Sequence, residues 1–347
     1  MFCYGSFGTE KMEDIRMLRT WEGFQKGVNL GGWLSQYAVY DPGHFDTFIT
    51  REDIRRIAAL GFDHVRVPVD YPVLEDETGA PREDGYDRLS ECLRWCEESD
   101  LRMVIDLHEC YGYSFDPLKD MDRERFFHDS ELQERFLKLW KRLAERFSYW
   151  PEQVAFEPLN EIVLPEVAEP WNVIAAKFIK TVREVAPRNW LVIGGIRYSS
   201  VLSVPMLDFP LDDRIVYNFH CYEPLVFTHQ GAYWLKDMPL DFRIGYPKTI
   251  QEYKDAGSFL DPNIEEGLYR EGIPEIGPEF FEGLFTPAVE KARKDNVPLY
   301  CGEYGVIDRA NAEDRERWLR DIRSAMDRLN IGRALWNYKE KDFGLVR

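Results

Sequence analysis

The chain has 347 residues, 44% of them hydrophobic and 31% charged, the balance of a globular protein and, at this length, of one α/β barrel. Its formal net charge of −18 excludes nucleic acid and anionic membrane surfaces as partners. No run approaches the ~20 apolar residues of a membrane span, so a neutral polymer or a small molecule is the expected substrate.

From Gly23 onward, short apolar strands alternate with amphipathic helices, the pattern of βαβ units around a parallel sheet. Lys26–Trp33 reads as the first strand and its loop, and Thr50–Leu60 as a helix with an N-cap threonine and early acidic residues. Asp63–Val69 is the second strand, with Tyr86–Ser99 the next helix. Leu101–Leu107 is the third strand, ending at His108, and Ser130–Phe147 follows with apolar residues at helical spacing. The fourth strand runs through Ala155-Phe-Glu-Pro-Leu-Asn-Glu161; Trp171–Ala186 is a helix and Trp190–Gly194 the fifth strand. Arg214–Phe219 is the sixth, running into His220-Cys-Tyr222, and Pro298–Glu303 the seventh. Ala310–Leu329 is a helix and Gly332–Asn337 the eighth strand.

Eight such signals predict a (β/α)8 barrel, with its active face at the C-terminal ends of the strands. The expected organisation is an N-terminal extension over 1–23 and a catalytic domain over 24–347. Within that domain, 223–285 is an inserted subdomain or lid with helical pieces near Ile250–Ala256 and Pro278–Glu282. The last helix is either missing or supplied by Thr9–Arg19.

Two apolar strands end in carboxylates, Glu161 and Glu303, a costly placement unless the group is paired, hydrogen-bonded or protonated. Glycosidic bond cleavage needs such a pair, ~5–5.5 Å apart in a retaining enzyme. Asn160 stands beside Glu161 with an amide that can donate to a sugar 2-hydroxyl. Arg66, His220 and Tyr222 are the groups available to stabilise Glu303. Arg66, His108, His220 and Trp336 also fall at or near strand ends, so six such residues converge on one rim. Trp33, Tyr37, Tyr111, Tyr113, Phe227 and Trp234 lie in rim loops, where an aromatic ring can stack on a sugar or pack the loop. No metal site and no cofactor is expected, because His108 and His220 come from separate strands with no His-x-His motif. The cysteines, Cys3, Cys92, Cys96, Cys110, Cys221 and Cys301, form no Cys-x-x-Cys pair and read as buried filler in a reducing setting. The first residues lack a signal-peptide pattern, which fits a cytoplasmic protein or one whose leader has been removed.

The series Val65-Arg66-Val-Pro68, Leu107-His108, Leu159-Asn-Glu161, Phe219-His-Cys-Tyr222, Gly302-Glu-Tyr-Gly305 and Leu335-Trp336 resembles glycoside hydrolase family 5. Gly27–Gln36, His44–Thr50 and Trp336–Lys339 resemble more closely the clostridial and rumen-type endoglucanase C group within it. The resemblance runs from about Phe24 to Phe343. It implies a retaining β-glycosidase with Glu161 as acid/base and Glu303 as nucleophile. In such an enzyme Asn160 contacts the 2-hydroxyl, and Arg66, His220 and Tyr222 surround the nucleophile. His108 contacts the sugar beside the scissile bond and Trp336 is its stacking floor. Glu109 departs from the pattern, since many relatives carry a second histidine there.

The function expected is a monomeric endo-β-1,4-glucanase acting on cellulose-type and mixed-linkage glucans. An exo-acting β-glucosidase, a mannanase or glucomannanase on the same site, and an inactive carbohydrate-binding barrel are the alternatives.

Overall fold

A computed structural model describes residues 18–260, 268, 273–340 and 342–346. Eight parallel strands close a barrel in chain order: β1 Lys26–Asn29, β2 His64–Asp70, β3 Arg102–Glu109, β4 Val154–Glu157, β5 Trp190–Gly194, β6 Ile215–Cys221, β7 Leu299–Tyr304 and β8 Gly332–Leu335. The ring closes where Val28 of β1 pairs with Leu335 of β8. The strands are buried on both faces, which is why they read as continuous apolar runs. Helices cross over outside them. Arg51–Ala59 starts at a capping box in which Thr50 and Asp53 satisfy each other's backbone N–H groups, a device whose loss costs about 1 kcal/mol. Ser130–Phe147 matches its expected span and buries Leu132, Phe136, Leu139, Trp140 and Leu143.

Side chains fill the barrel in layers. The lowest layer is apolar: Val104, Ala155, Val192, Val216, Tyr300 and Ala334, closed from below by Trp21 and Phe24. These two rings stack at 4.0 Å, and Tyr300 meets Trp21 edge-on at 5.2 Å. Truncating so buried a tryptophan costs about 3–5 kcal/mol. Residues 18–23 therefore belong to the barrel floor in packing terms. Asn330 ties them down further by donating to the Leu18 carbonyl at 3.0 Å and the Thr20 hydroxyl at 2.7 Å. The helix expected over Thr9–Arg19 lies, up to residue 17, outside the described residues, and Leu18 and Arg19 are not helical.

Two connections are irregular. After β5 no long helix follows; Ile196–Ser199 makes one left-handed turn and Val201–Met206 a short 3-10 helix. Arg197, Tyr198 and Ser199 have φ of 54°, 58° and 52°, and each such non-glycine residue costs roughly 1–2 kcal/mol. The long connection after β6 holds the short helices Leu225–Thr228 and Ile250–Ala256. The helical signal at Pro278 turns out to open Pro278–Asp295, the crossover helix that leads to β7, so position 285 falls inside a helix. The five described cysteines, Cys92, Cys96, Cys110, Cys221 and Cys301, are buried and unbridged; Cys3 lies outside the described residues.

Candidate active site

Above the apolar floor sits a polar layer centred on Arg66. Its guanidinium is wholly buried and uses all five of its donors. Nε and Nη2 form a fork on Glu157 at 2.7 and 2.9 Å. Nη1 donates to Asn29 at 2.9 Å and to Glu303 Oε1 at 2.7 Å, and Nη2 also donates to Asn160 Oδ1 at 2.8 Å. Asp106 lies 3.1 Å away as a further ion-pair partner. Asn218 extends the layer, donating to Glu157 at 2.8 Å and accepting from the Gly302 N–H at 2.9 Å.

The expected carboxylate partner of Arg66 is therefore Glu157 as well as Glu303. Sequence reasoning missed Glu157, Asp106, Asn29 and Asn218. A period-two signal was present: Asp106 precedes His108, and Asn218 precedes His220, by two residues on one strand, so each pair shares the barrel-facing side.

The next layer carries the two carboxylates expected at the strand ends. Glu303 is on β7, and a bulge between Phe219 and His220 brings it level with His220. Glu161 is not on a strand: β4 stops at Glu157, before Pro158, and Glu161 follows in the loop. That loop is anchored by the Asn160 N–H on the Leu107 carbonyl at 3.1 Å, and by the Tyr113 hydroxyl, which donates to the Glu161 carbonyl at 2.7 Å. The two carboxylates face each other, with one oxygen of each and a nitrogen of His220 all within 4.8 Å of one another. His220 Nδ1 is 2.8 Å from Glu161 Oε1 and 3.8 Å from Glu303 Oε2, so it sits nearer the first carboxylate than the second.

A cluster this tight resembles a cation site, although its histidine belongs to no His-x-His motif. Both Glu303 oxygens are already engaged, however: Arg66 donates to Oε1, and the Tyr222 hydroxyl donates to Oε2 at 2.9 Å. The guanidinium also supplies the positive charge that a metal would bring.

The electrostatics separate the two glutamates. Burial and the facing charge of Glu303 push the Glu161 carboxyl well above the ordinary range. Burial also raises Glu303, but Arg66 and the Tyr222 hydroxyl hold it back. Of the two, Glu161 is therefore the one pushed further toward the protonated form. Burial, with Arg66 nearby, pushes His220 well below its usual value, so its imidazole is neutral. Burial likewise lowers His108 to about 3.

Three buried polar atoms around this pair have no partner among the described residues: Asn160 Nδ2, His108 Nε2 and His220 Nε2. His108 is oriented by Asp106, 2.7 Å from Nδ1, and its ring lies parallel to Trp336 with 5.7 Å between centroids. Trp336 is held from behind. The Asn337 side chain bonds both the N–H and the carbonyl of Gly31, at 2.9 and 3.0 Å, and the Trp336–Asn337 peptide is cis.

The other expected site residues divide. Tyr37 is half-buried at the rim, edge-on to Phe45 at 5.0 Å. Trp234, also half-buried, packs with the group around Trp336 and Phe343. Glu109 accepts from the Ser114 hydroxyl at 2.5 Å and pairs with Lys119, with Asp70 opposite it on β2. Trp33 is a correction: it is 1% exposed, its N–H donates to the Phe45 carbonyl at 2.7 Å, and it offers no face to a sugar. Tyr113 and Phe227 are equally buried, Tyr113 as an anchor of the Glu161 loop and Phe227 in the core. Tyr111 has the Arg135 guanidinium over its ring at 3.6 Å.

The cellulase profile of glycosyl hydrolase family 5 matches residues 21–342. The chain belongs to glycosyl hydrolase family 5. This family 5 hydrolase is 41% identical over 326 residues to endoglucanase C of Acetivibrio thermocellus, covering 92% of each chain. It is 38% identical to cellodextrinase A of Ruminococcus flavefaciens over 311 residues, 90% of this chain and 84% of that one. Among solved structures, a hyperthermophilic endo-β-1,4-glucanase in complex with substrate superposes with a TM-score of 0.74 at 23% identity over 94% of each chain. Thermotoga maritima Cel5A with cellobiose gives 0.73 at 23% identity, again over 94% of each chain. These two show the shared barrel. Among the described residues of the family 5 hydrolase, no helix is long and apolar enough to cross a membrane.

Proposed function

We propose that this chain is a monomeric, retaining endo-β-1,4-glucanase that cleaves cellulose-type and mixed-linkage β-glucans by double displacement. The observation that carries the reading is the approach of Glu161 and Glu303 to within 4.8 Å, far closer than the ~6.5–9.5 Å an inverting pair leaves for water. In the first step Glu161 gives its proton to the glycosidic oxygen while a Glu303 oxygen attacks C1 from the opposite face. The C1–O bond to the leaving sugar breaks as the bond to Glu303 forms. In the second step Glu161, now a carboxylate, takes a proton from water, whose oxygen displaces Glu303 from C1. Neutral His220, 2.8 Å from Glu161, adjusts its hydrogen bond to each state of that carboxyl. The unpartnered amide of Asn160 suits the 2-hydroxyl, and Trp336 the apolar face of the same ring.

Azide tests the roles. With an aryl β-cellobioside, Glu303→Ala should regain turnover and release an α-glycosyl azide. Rescue of Glu161→Ala with the same inversion would exchange the two assignments.

The cellodextrinase relative favours a second reading, in which the chain shortens soluble oligosaccharides from one end. Product lengths from a glucan panel separate the two. Endo action lowers viscosity faster than it creates reducing ends, whereas cellobiose released with little viscosity loss would favour the exo mode.

A further inference from the structure

We infer that Tyr113 and Ser199 are positioning residues for the acid: their hydroxyls hold the backbone at and just before Glu161, and so aim its carboxyl at the leaving oxygen. The inference rests on the acid/base role proposed above for Glu161. Residues 158–164 belong to no helix or strand, so their backbone groups must find partners elsewhere in the fold. The Asn160 N–H reaches the Leu107 carbonyl of β3 at 3.1 Å. From the turn after β5, the Ser199 hydroxyl donates to the Asn160 carbonyl at 3.0 Å, and the Tyr198 N–H to the Ile162 carbonyl at 2.9 Å. Glu161 itself is served by Tyr113. That hydroxyl donates to the Glu161 carbonyl at 2.7 Å and accepts from the Val163 N–H at 2.9 Å.

Both hydroxyls stand on rigid mounts. Tyr113 is 1% exposed, with Phe127 edge-on to its ring at 5.5 Å. Its backbone exchanges two hydrogen bonds with Cys110, at 3.0 and 3.2 Å, across a turn that Gly112 closes at φ 86°. Burial pushes the phenol pKa up, so the hydroxyl keeps its proton and remains a donor. Ser199 is buried and locked in the left-handed region at φ 52°. At the far end of the acid, the carboxyl meets His220 Nδ1 at 2.8 Å. Glu161 is thus held at its carbonyl and at its carboxyl, with only the side-chain torsions between. A catalytic group displaced by ~1 Å loses roughly 10²-fold in rate, so a loop without structure of its own needs such fixing. Phenylalanine at 113 fills the same space but leaves the Glu161 carbonyl and the Val163 N–H short of a partner, and the loop resettles.

The test varies how much the leaving group needs a proton. With aryl β-cellobiosides, kcat/KM reports the step in which the aryl oxygen departs. A phenyl group needs the proton of Glu161, whereas a dinitrophenyl group leaves without it. Tyr113→Phe should lower kcat/KM about ten-fold or more on the phenyl substrate and stay within about two-fold of the parent on the dinitrophenyl one. Ser199→Gly, in which glycine adopts the same φ at no cost, should show the same selectivity even if Tyr113→Phe fails to fold. A loss of folded enzyme lowers both substrates alike. Equal losses on the two substrates, or no loss on the phenyl one, would overturn the positioning role. Glu161→Ala is the control: it should lose far more on phenyl than on dinitrophenyl, and equal losses there would remove the acid assignment beneath the inference.

Discussion

Arg66 and Glu303 meet at 2.7 Å in a layer where one buried cation faces Glu157 and Asp106 as well as Glu303, with Glu161 beyond. The guanidinium is shared among more carboxyls than its charge can neutralise. Protons must make up the difference, and where they sit governs both reactivity and stability.

The first expectation concerns the cation itself. Lysine keeps a charge but offers three donors from one point, and cannot fork onto Glu157 while reaching Asn29, Asn160 and Glu303. Arg66→Lys should lower kcat by roughly 10²–10³ through loss of a fixed donor at the reacting centre. Unpairing the buried acids should destabilise the fold by about 3–5 kcal/mol. Steady-state kinetics and denaturant unfolding on one preparation check both.

The second concerns the alkaline limb of the pH–rate profile. On the roles proposed above, activity needs Glu303 ionised and Glu161 protonated, so the alkaline limb reports Glu161, displaced upward by burial and by Glu303. Removing that charge with Glu303→Gln should lower the Glu161 pKa yet leave it above the ordinary value, because burial persists. Carboxyl 13C shifts of labelled glutamate, titrated in both proteins, read this directly. An unmoved Glu161 would mean the two groups do not sense each other.

The third concerns stability. Burial raises Asp106 and Glu157 to about 7, from 3.8 and 4.5. A carboxyl raised in the folded state contributes stability that is complete below its unfolded value and is lost as pH rises through its folded one. Their contribution to the unfolding free energy should therefore fall between about pH 4 and 7, against the rise that the buried neutral His108 and His220 contribute over the same range, and Asp106→Asn should make the net slope more positive. Asp63, lowered to about 2 by His64 and by backbone donors, adds to the rise contributed by the histidines, but only below this window. A slope identical in the Asn variant would contradict the assignment.

The fourth concerns Gly31. A Cβ at this position would lie 2.6 Å from the Trp336 ring, while its backbone is already clamped to Asn337. Gly31→Ala should push the indole toward the cleft, raise KM for cello-oligosaccharides and cost about 1–3 kcal/mol in overpacking. Tryptophan fluorescence on ligand binding reports the displaced ring.

Much of this was legible in the sequence, for a physical reason. A parallel barrel buries its strands on both faces, so each shows as an apolar run with one polar terminus, and the termini named Arg66, His108, His220 and Glu303. Glu161 reads as the end of a strand because Leu159 continues the apolar pattern past Pro158, where pairing has already ended. Glu157 was overlooked inside the same stretch; its partner lies 91 positions away, a distance that no local pattern spans. Trp33 and Tyr113 lie in rim segments and still point inward, and loop position alone does not reveal which way a ring faces. The left-handed turn at Tyr198 had no glycine to mark it.

The barrel's seam has a consequence for the order in which the molecule is made. Leu18, Thr20 and Lys26–Val28 find their partners in Asn330 and Arg333–Leu335, about three hundred positions later. Asn29, which helps to hold Arg66, donates to the carbonyls of Gly302, Ala334 and Leu335. During translation the earliest strand waits with one edge bare until the final one leaves the ribosome, and a bare edge invites pairing with a neighbouring chain. Catalytic competence therefore arrives last, and the appearance of turnover in a synthesis or refolding time course marks the moment of ring closure.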